Sequence, residues 1–385
     1  MPDGSEITEI KILNAIGHIP AKQWDACARD SNPTVSHAFL SALEDSGSVG
    51  GDAGWLPQHL AVFDESGMLA AAAPMYLKSH SYGEYVFDWG WADAFERAGG
   101  RYYPKLQSSV PFTPVTGPRL LVRPGVDQKY ADALIGGMTQ VCEQLGVSSI
   151  HVTFPTEVEW QRFGDRGFLQ RTGEQFHWLN DGYTSFDDFL SRLSSRKRKN
   201  IRKEREKVSK LGLRFEALSG ADLNEQSWDA FYGFYCNTSD RKWGQTYLSR
   251  EFFTLLGERM AERTLLFMVY EDEHPVAGAL NLVGRDALYG RNWGCSEHHK
   301  FLHFECCYYQ AIDYAITHGL SRVEAGAQGP HKLQRGYLPT KTYSAHWIRD
   351  RGLRDAIERY LVSERIQIED EIEILTEHSP FRKQV

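Results

Sequence analysis

Near the C-terminal end of the chain one loop gathers polar side chains densely: Ala325-Gly326-Ala327-Gln328-Gly329-Pro330-His331-Lys332-Leu333-Gln334-Arg335-Gly336-Tyr337. Its three glycines allow a ligand to approach the backbone closely. Gln328, His331, Lys332 and Arg335 place an amide, an imidazole and two cations within eight residues, donors suited to an oxyanion or a phosphate. A decorated surface turn is the plain alternative. The loop follows a short buried strand expected at 322–324, which favours the site. Upstream, His298-His299-Lys300-Phe301-Leu302-His303-Phe304-Glu305 opens a helical pattern. His299 and His303 have a metal-ligand spacing, but no His-Glu-x-x-His pattern accompanies them and no metal is expected. His303 and Glu305 are expected at a helix N-terminus, whose dipole favours a carboxylate. Glu305 is then a general base toward an amine or an anchor for a neighbouring loop, with His331 in reserve. Tyr289, Arg291, Trp293 and Tyr337 are expected to line the same cleft.

A second constellation is basic. Ser194-Ser195-Arg196-Lys197-Arg198-Lys199-Asn200-Ile201-Arg202-Lys203 continues to Arg205 and Lys207. On a helix, Arg192, Arg196, Lys199 and Lys203 share a face and repel one another unless something anionic lies opposite. Either this is a solvated linker helix, or Arg196, Lys197, Arg198, Lys199 and Arg202 hold an RNA backbone or a diphosphate. A third stretch, Pro111-Phe112-Thr113-Pro114-Val115-Thr116-Gly117-Pro118-Arg119, is stiffened by its prolines. It holds Thr113, Thr116 and Arg119 in fixed directions, as a cleft lining or as a plain edge.

These side chains need a scaffold. Hydrophobic patterning predicts a hairpin over 59–63 and 68–76 turned at Asp64-Glu65-Ser66-Gly67, an extended aromatic run at 85–91, and helices over 92–98 and 128–145. A strand is expected at 149–154. In the second half it predicts a strand at 176–180, one helix from 185 to about 210, a strand at 213–218, helices at 225–236 and 252–263, and a hairpin across 271–275. A helix over 352–377 closes the chain. The halves echo one another at an offset of 207, Val62-Phe63-Asp64-Glu65 matching Val269-Tyr270-Glu271-Asp272. Tyr82-Gly83 then falls on Tyr289-Gly290, and Asp88-Trp89-Gly90 answers Asn292-Trp293-Gly294. The expected organisation is a first domain at 1–175, a strand and basic linker helix at 176–212, and a second domain with the main cleft at 213–385. The order of helices, hairpin, longer strand, break, helix and strand is that of a GNAT-type acyltransferase unit, so an α+β chain on a mixed sheet is expected.

Bulk properties fit an ordinary folded protein of two domains, at 385 residues with 42% hydrophobic and 24% charged. A net charge of −8 argues against coating nucleic acid non-specifically, and no DNA partner is expected. Six cysteines without CxxC spacing read as reduced thiols. There is no signal-peptide pattern and no window of the ~20 apolar residues that span a bilayer, so no transmembrane segment and a cytoplasmic location are expected. No Gly-x-Ser-x-Gly elbow, P-loop or dinucleotide-binding glycine pattern occurs, which removes serine hydrolases, NTPases and dehydrogenases.

The sequence resembles the FemAB-like N-acyltransferases, a branch of the GNAT superfamily named after peptidoglycan-bridge enzymes. The resemblance spans nearly the whole chain and is carried by Pro111–Leu121, Ser194–Glu204, Asn292–Cys295, Leu302–Ile312 and Gly326–Pro339. It implies tandem GNAT-like acyl-CoA N-acyltransferase domains passing an acyl or aminoacyl group to an amine acceptor. The donor is aminoacyl-tRNA or acyl-CoA, with no tightly bound cofactor. In the peptidoglycan-bridge relatives the acceptor is a muropeptide lipid or nucleotide. Those relatives carry a Phe-Lys-x-Gly-Phe element; here Gln334-Arg335-Gly336-Tyr337 is the nearest match and the lysine is displaced to Lys332. The pyrophosphate-holding Gln/Arg-x-x-Gly-x-Gly/Ala pattern of coenzyme A-dependent members is absent from both copies. Three readings follow: aminoacyl transfer with tRNA possibly as partner, coenzyme A-dependent acetylation of a small amine, and a non-catalytic RNA- or ligand-binding protein. In the enzyme readings Glu305 or His303 moves the proton and Lys332 and Arg335 meet the negative charge.

Overall fold

The hairpin turned at Asp64-Glu65-Ser66-Gly67 forms because Asp64 accepts from Ser66 N and Met68 N, and Gly67 takes the left-handed φ of +77°. A computed structural model describes residues 9–242, 246–327 and 329–382, the side chains of 239–242 excepted. The chain forms two compact units, Met1–Gly173 with Thr342–Gln367 and Glu174–Lys341 with Ile368–Val385.

The first unit opens with β1 (Ile10–Leu13), α1 (Ala21–Ala28) and α2 (His37–Asp45), followed by β2 (Trp55–Pro57), β3 (His59–Phe63), β4 (Leu69–Ala73) and β5 (Tyr76–Lys78). It continues through α3 (Trp89–Arg97), β6 (Lys105–Ser108), β7 (Leu121–Val122), α4 (Lys129–Leu145), β8 (Ser149–Thr153) and α5 (Glu157–Asp165). β9 (Leu169–Leu179) leads into the second unit. There follow α6 (Phe186–Arg192), α7 (Ser195–Ser209), β10 (Arg214–Leu218), α8 (Glu225–Lys242), α9 (Arg250–Met260), β11 (Thr264–Glu271), β12 (His274–Val283) and β13 (Ala287–Cys295). α10 (Leu302–Phe304) passes through a π-helical turn (Glu305–Tyr309) into α11 (Gln310–Thr317), and then come β14 (Arg322–Glu324), β15 (Leu338–Ile348) and α12 (Arg351–Glu377).

In the second unit the strands lie in the order β10-β11-β12-β13-β14-β9, with β13 and β14 parallel and their neighbours antiparallel. The first unit carries β1-β3-β4-β7 and a second set ordered β15-β8-β6-β5-β2, where β6 and β8 are the parallel pair. Each unit thus takes a strand from the other half of the sequence. Residues 344–348 of β15 pair with β8, and 177–179 of β9 pair with β14. The linear bounds 1–175 and 213–385 therefore give way to interleaved ones, with 342–367 in the first unit and 174–212 in the second.

The echo between halves holds at the hairpins. β3 and β4 shift register between Val62 and Phe63, and β11 and β12 shift between Val269 and Tyr270, the same place in both copies. It fails further on. Tyr82-Gly83 is a turn and Trp89 starts α3, whereas 289–294 lie within β13. Pro74 ends β4, whereas its counterpart β12 runs on to Val283. The aromatic run at 85–91 is accordingly not extended throughout. The single helix expected over 185–210 is also divided. Leu193 is extended and fully buried, and Ser194 N donates to the carbonyl of Pro380 at 2.9 Å, where the C-terminal segment crosses the gap.

Candidate functional site

β13 and β14 pair for only three residues, ending at Tyr289 opposite Glu324. Beyond that point β14 gives way to the glycine loop. Gly290 marks the divergence: a Cβ there would meet the carbonyl of Glu324 at 3.3 Å and Ala325 Cα at 3.4 Å. Such an opened pair of parallel strands lets side chains of both strands and of the loop beyond converge on one place.

Lys332 is the most distinctive group at this opening. It is 1% exposed, and its Nζ donates to the carbonyl of Gly326, two residues past Glu324, at 2.7 Å. Burial pushes the ammonium down to about 8. Glu324 is also buried; Oε1 accepts from Arg322 Nε at 2.9 Å, while Oε2 has no hydrogen-bond partner among the described residues. His177, on the adjacent β9, lies 3.9 Å from Oε2 through its Nε2. Burial, the largest cause, holds His177 below the usual imidazole range; Glu324 opposes this, while Arg322 and Lys332 add to it. Tyr289 is buried and its hydroxyl accepts from Arg322 Nη2 at 3.2 Å.

Of the connector's histidines, His303 comes together with the loop. His303 packs against Trp293 at 5.4 Å, Tyr308 at 5.4 Å and His331 at 6.1 Å between ring centroids. His331 Nε2 and the Tyr308 hydroxyl are 2.8 Å apart. Tyr308 stands against the fully buried Tyr337 at 5.4 Å. Arg291 and Trp293 are half-buried on β13. Gln328 lies outside the described residues.

Two of the expected roles meet physical obstacles. Glu305 turns away from the loop, toward α7. Arg205 grips it from Nη2 at 2.9 Å and from Nε at 3.2 Å to each oxygen, and Gln310 Nε2 donates at 2.8 Å. A carboxylate with both oxygens engaged and its side chain 6% exposed holds the π-helical turn to α7. Arg335 is likewise spent on Glu204, donating from Nη2 at 3.0 Å to both oxygens, and lies 3.4 Å over the Phe304 ring. In the first unit Thr113 donates to the carbonyl of Pro111 at 2.8 Å, and Thr116 offers its carbonyl to Asn32 Nδ2 at 3.3 Å. Arg119 is fully buried, and its guanidinium donates to the carbonyls of Val115, Gly117, Pro118 and Thr153. It knits the proline-rich loop together rather than meeting a ligand.

The basic residues keep to solvent. Arg196, Lys199 and Arg202 are exposed and Lys197 and Arg198 are half-buried; Arg202 pairs with Asp187 at 2.8 Å. Among the described residues one group could hold a cation, Glu271, Glu297 and His299, whose ligand atoms lie within 4.8 Å of one another. Glu297 is exposed, and His303 is not part of it.

The sequence reading missed Glu324 and His177 as site residues. Both had a signal, a charged or polar residue alternating with core apolar ones: Val323 beside Glu324, and Phe176 and Trp178 around His177.

Comparison with known proteins settles the family. The family model for FemAB-like proteins, described as peptidoglycan biosynthesis/recognition, matches residues 15–383. The chain belongs to the FemAB-like family. That membership makes it an acyl- or aminoacyltransferase in kind. No curated protein matches it in sequence. Among solved structures, FemX shares the fold with a TM-score of 0.56 at 13% identity, over 91% of this chain and 100% of FemX. The C-terminal domain of a putative lysylphosphatidylglycerol synthetase from Agrobacterium fabrum gives 0.54 at 9% identity, over 89% of this chain and 95% of that one. L-PGS from Bacillus licheniformis gives 0.53 at 11%, over 86% and 98%. The FemAB-like chain thus carries two compact units on a mixed α/β framework. No helix among its described residues is long and apolar enough to cross a membrane.

Proposed function

We propose that this FemAB-like chain transfers an aminoacyl group from aminoacyl-tRNA to the amine of a peptidoglycan precursor, and that the transfer occurs where β13 and β14 diverge. The observation that carries the reading is the buried Lys332 ammonium, bonded to the Gly326 carbonyl on the loop that follows β14, the strand whose buried Glu324 has one carboxylate oxygen without a partner among the described residues. An ammonium acceptor must lose a proton before it attacks, and Glu324 Oε2 is the base proposed for it. The amine nitrogen then bonds to the ester carbonyl carbon, and the Lys332 ammonium faces the developing oxyanion. The carbon–oxygen bond of the ester breaks, its electrons pass to the leaving tRNA hydroxyl oxygen, the proton held by Glu324 goes to that oxygen, and the second proton lost by the attacking nitrogen is released to solvent. His303, Trp293, Tyr308 and Tyr337 form an aromatic wall that limits competing water.

Aminoacyl-tRNA is preferred over acyl-CoA as donor because Arg196, Lys197, Arg198 and Lys199 follow one another on α7 at the surface. The family's description supports the acceptor class. The test is turnover of labelled aminoacyl-tRNA with peptidoglycan-precursor amines, in parallel with acetyl-CoA. Transfer from tRNA that falls about 100-fold in Glu324→Gln and in Lys332→Met supports the reading. Turnover of acetyl-CoA alone replaces the donor, and tRNA binding without transfer to any amine replaces catalysis by binding.

A further inference from the structure

In the first unit the sheet buries both faces, and only one of them is apolar. Leu106, Ile150, Val152 and Ala345 join the core that includes α4. The residues alternating with them, together with Tyr76 and Lys78 of β5, form the opposite layer: Tyr76, Lys78, Lys105, Gln107, His151 and His346 are each 1% exposed or less. Register sets Lys78 directly opposite Lys105 and Tyr76 opposite Gln107, with His151 level with Gln107 and opposite His346. Like charges facing each other across two strands repel, and burial makes this worse.

Counter-charge comes from the irregular segment 79–88. Lys105 Nζ donates to Glu84 Oε2 at 2.8 Å, to Ser81 Oγ at 2.8 Å, and to Asp88. The Tyr102 hydroxyl donates to Asp88 Oδ2 at 2.7 Å and lies 3.2 Å from His151 Nε2; the two histidines meet through their Nδ1 atoms at 2.7 Å. Two lysines and two carboxylates balance in charge, yet the bonding does not close. Glu84 Oε1, Asp88 Oδ1 and Gln107 Oε1 are buried acceptors without donors. Lys78 Nζ has the carbonyl of Tyr82 at 3.1 Å and His80 Nδ1 at 3.3 Å, but its carboxylate neighbour, that same Glu84 Oε1, stands 4.0 Å off. Burial pushes Lys78 down to about 7 and Glu84 up to about 7, so neither is well served by the other.

A buried cation held over the Trp55 ring at 3.6 Å with its nearest carboxylate oxygen 4.0 Å off, beside two carboxylate oxygens without donors among the described residues, is complementary to a molecule that carries both groups. We propose that the first unit binds a small zwitterion of the free amino acid class, its carboxylate on Lys78 and its primary ammonium on Glu84 Oε1 and Asp88 Oδ1. Admission requires the 79–88 segment to lift. Gly83 and Tyr85 on either side of Glu84 hold left-handed φ values of +81° and +60°. Within this segment the Tyr82 and Phe87 side chains are exposed, as is Trp89 at the start of α3. The proposal does not depend on the transfer chemistry of the second unit.

The test is calorimetric titration of the full chain with the free L-amino acids, the best binder then being compared with its amide and its deaminated acid. Saturable binding that weakens at least about 10-fold for each altered ligand is expected. Lys78→Met is expected to weaken the amino acid to the level of its amide, and Glu84→Gln to the level of the deaminated acid. Absence of binding by every amino acid, or binding of the amide or of the deaminated acid as tight as that of the amino acid itself, overturns the proposal. So does a neutral sugar that binds the native chain more tightly than any amino acid. Should either variant fail to fold, the ligand series on the native chain decides.

Discussion

Glu305 and Arg205 lock the π-helical turn of the second unit to α7, the guanidinium reaching one carboxylate oxygen from Nη2 at 2.9 Å and both from Nε at 3.2 Å. Nη1 of the same arginine reaches Asp313 at 3.1 Å, and its guanidinium lies 4.4 Å over Phe186. Removing one partner of such a pair leaves a charge stranded. Glu305→Ala is therefore expected to destabilise the chain by about 3 kcal/mol, read as a lower urea midpoint, while turnover per folded molecule persists. A variant of native stability that has lost turnover would return Glu305 to the chemistry.

The exchanged strands predict where the chain cannot be cut. Ile348, Ile357 and Leu361 complete a core with Trp91, Tyr102 and Leu169, and residues 344–348 supply the β8 partner. A chain ending at Tyr337 loses all of these. It is expected to leave the first unit without a cooperative transition, and the amides of β8 without protection in hydrogen exchange. A first unit that still melts cooperatively after that truncation would show that the exchange is dispensable.

Local chemistry was legible in the sequence; long-range pairing was not. The Asp64–Gly67 turn, α4 and the strand at Arg322–Glu324 each announce themselves through turn residues or periodicity. The bulge shared by both hairpins follows from the same repeat. β15 has Thr340, Lys341, Thr342 and Tyr343 in its first half, with no clear alternation, and its place is decided by pairing with a strand nearly 200 residues away, as in His346 opposite His151. The partners of two site candidates were hidden for a similar reason. Glu305 and Arg335 looked available because their partners, Arg205 and Glu204, are about 100 or more residues distant. Lys332 is visible in the sequence as a loop cation, but nothing local tells of its burial.

The exposed cations of α7 predict a salt signature. Each phosphate contact adds about 0.7 to the slope of log affinity against log salt for single-stranded regions. Replacing Arg196, Arg198 and Lys199 by Ala is then expected to lower that slope for tRNA by about 2, measured by fluorescence anisotropy across a salt series. α7 itself should survive, because the contacts that hold it are Ile201 and Val208 in the core, Glu204 with Arg335, and Arg205 with Glu305. An unchanged slope in the folded triple variant would remove tRNA from this helix.

Lys332 gives the prediction with the clearest sign. Its folded value of about 8 lies below the ordinary 10.5, because burial disfavours the ammonium. Between those values the unfolded chain holds the proton and the folded chain does not, so stability rises with pH through that window. Below it both states are protonated and the burial penalty is present in full. Lys332→Met removes the penalty, so urea midpoints should rise near neutral pH and lose this rise above pH 8. Activity runs the other way. If the ammonium meets the oxyanion, the rate of transfer falls as pH rises through about 8. Lys332→Arg should carry that falling limb to higher pH, and Lys332→Met should abolish it while lowering kcat about 100-fold. Profiles of kcat against pH, corrected for donor hydrolysis, decide the matter. A falling limb that survives in Lys332→Met belongs to another group, and the oxyanion would then need another donor.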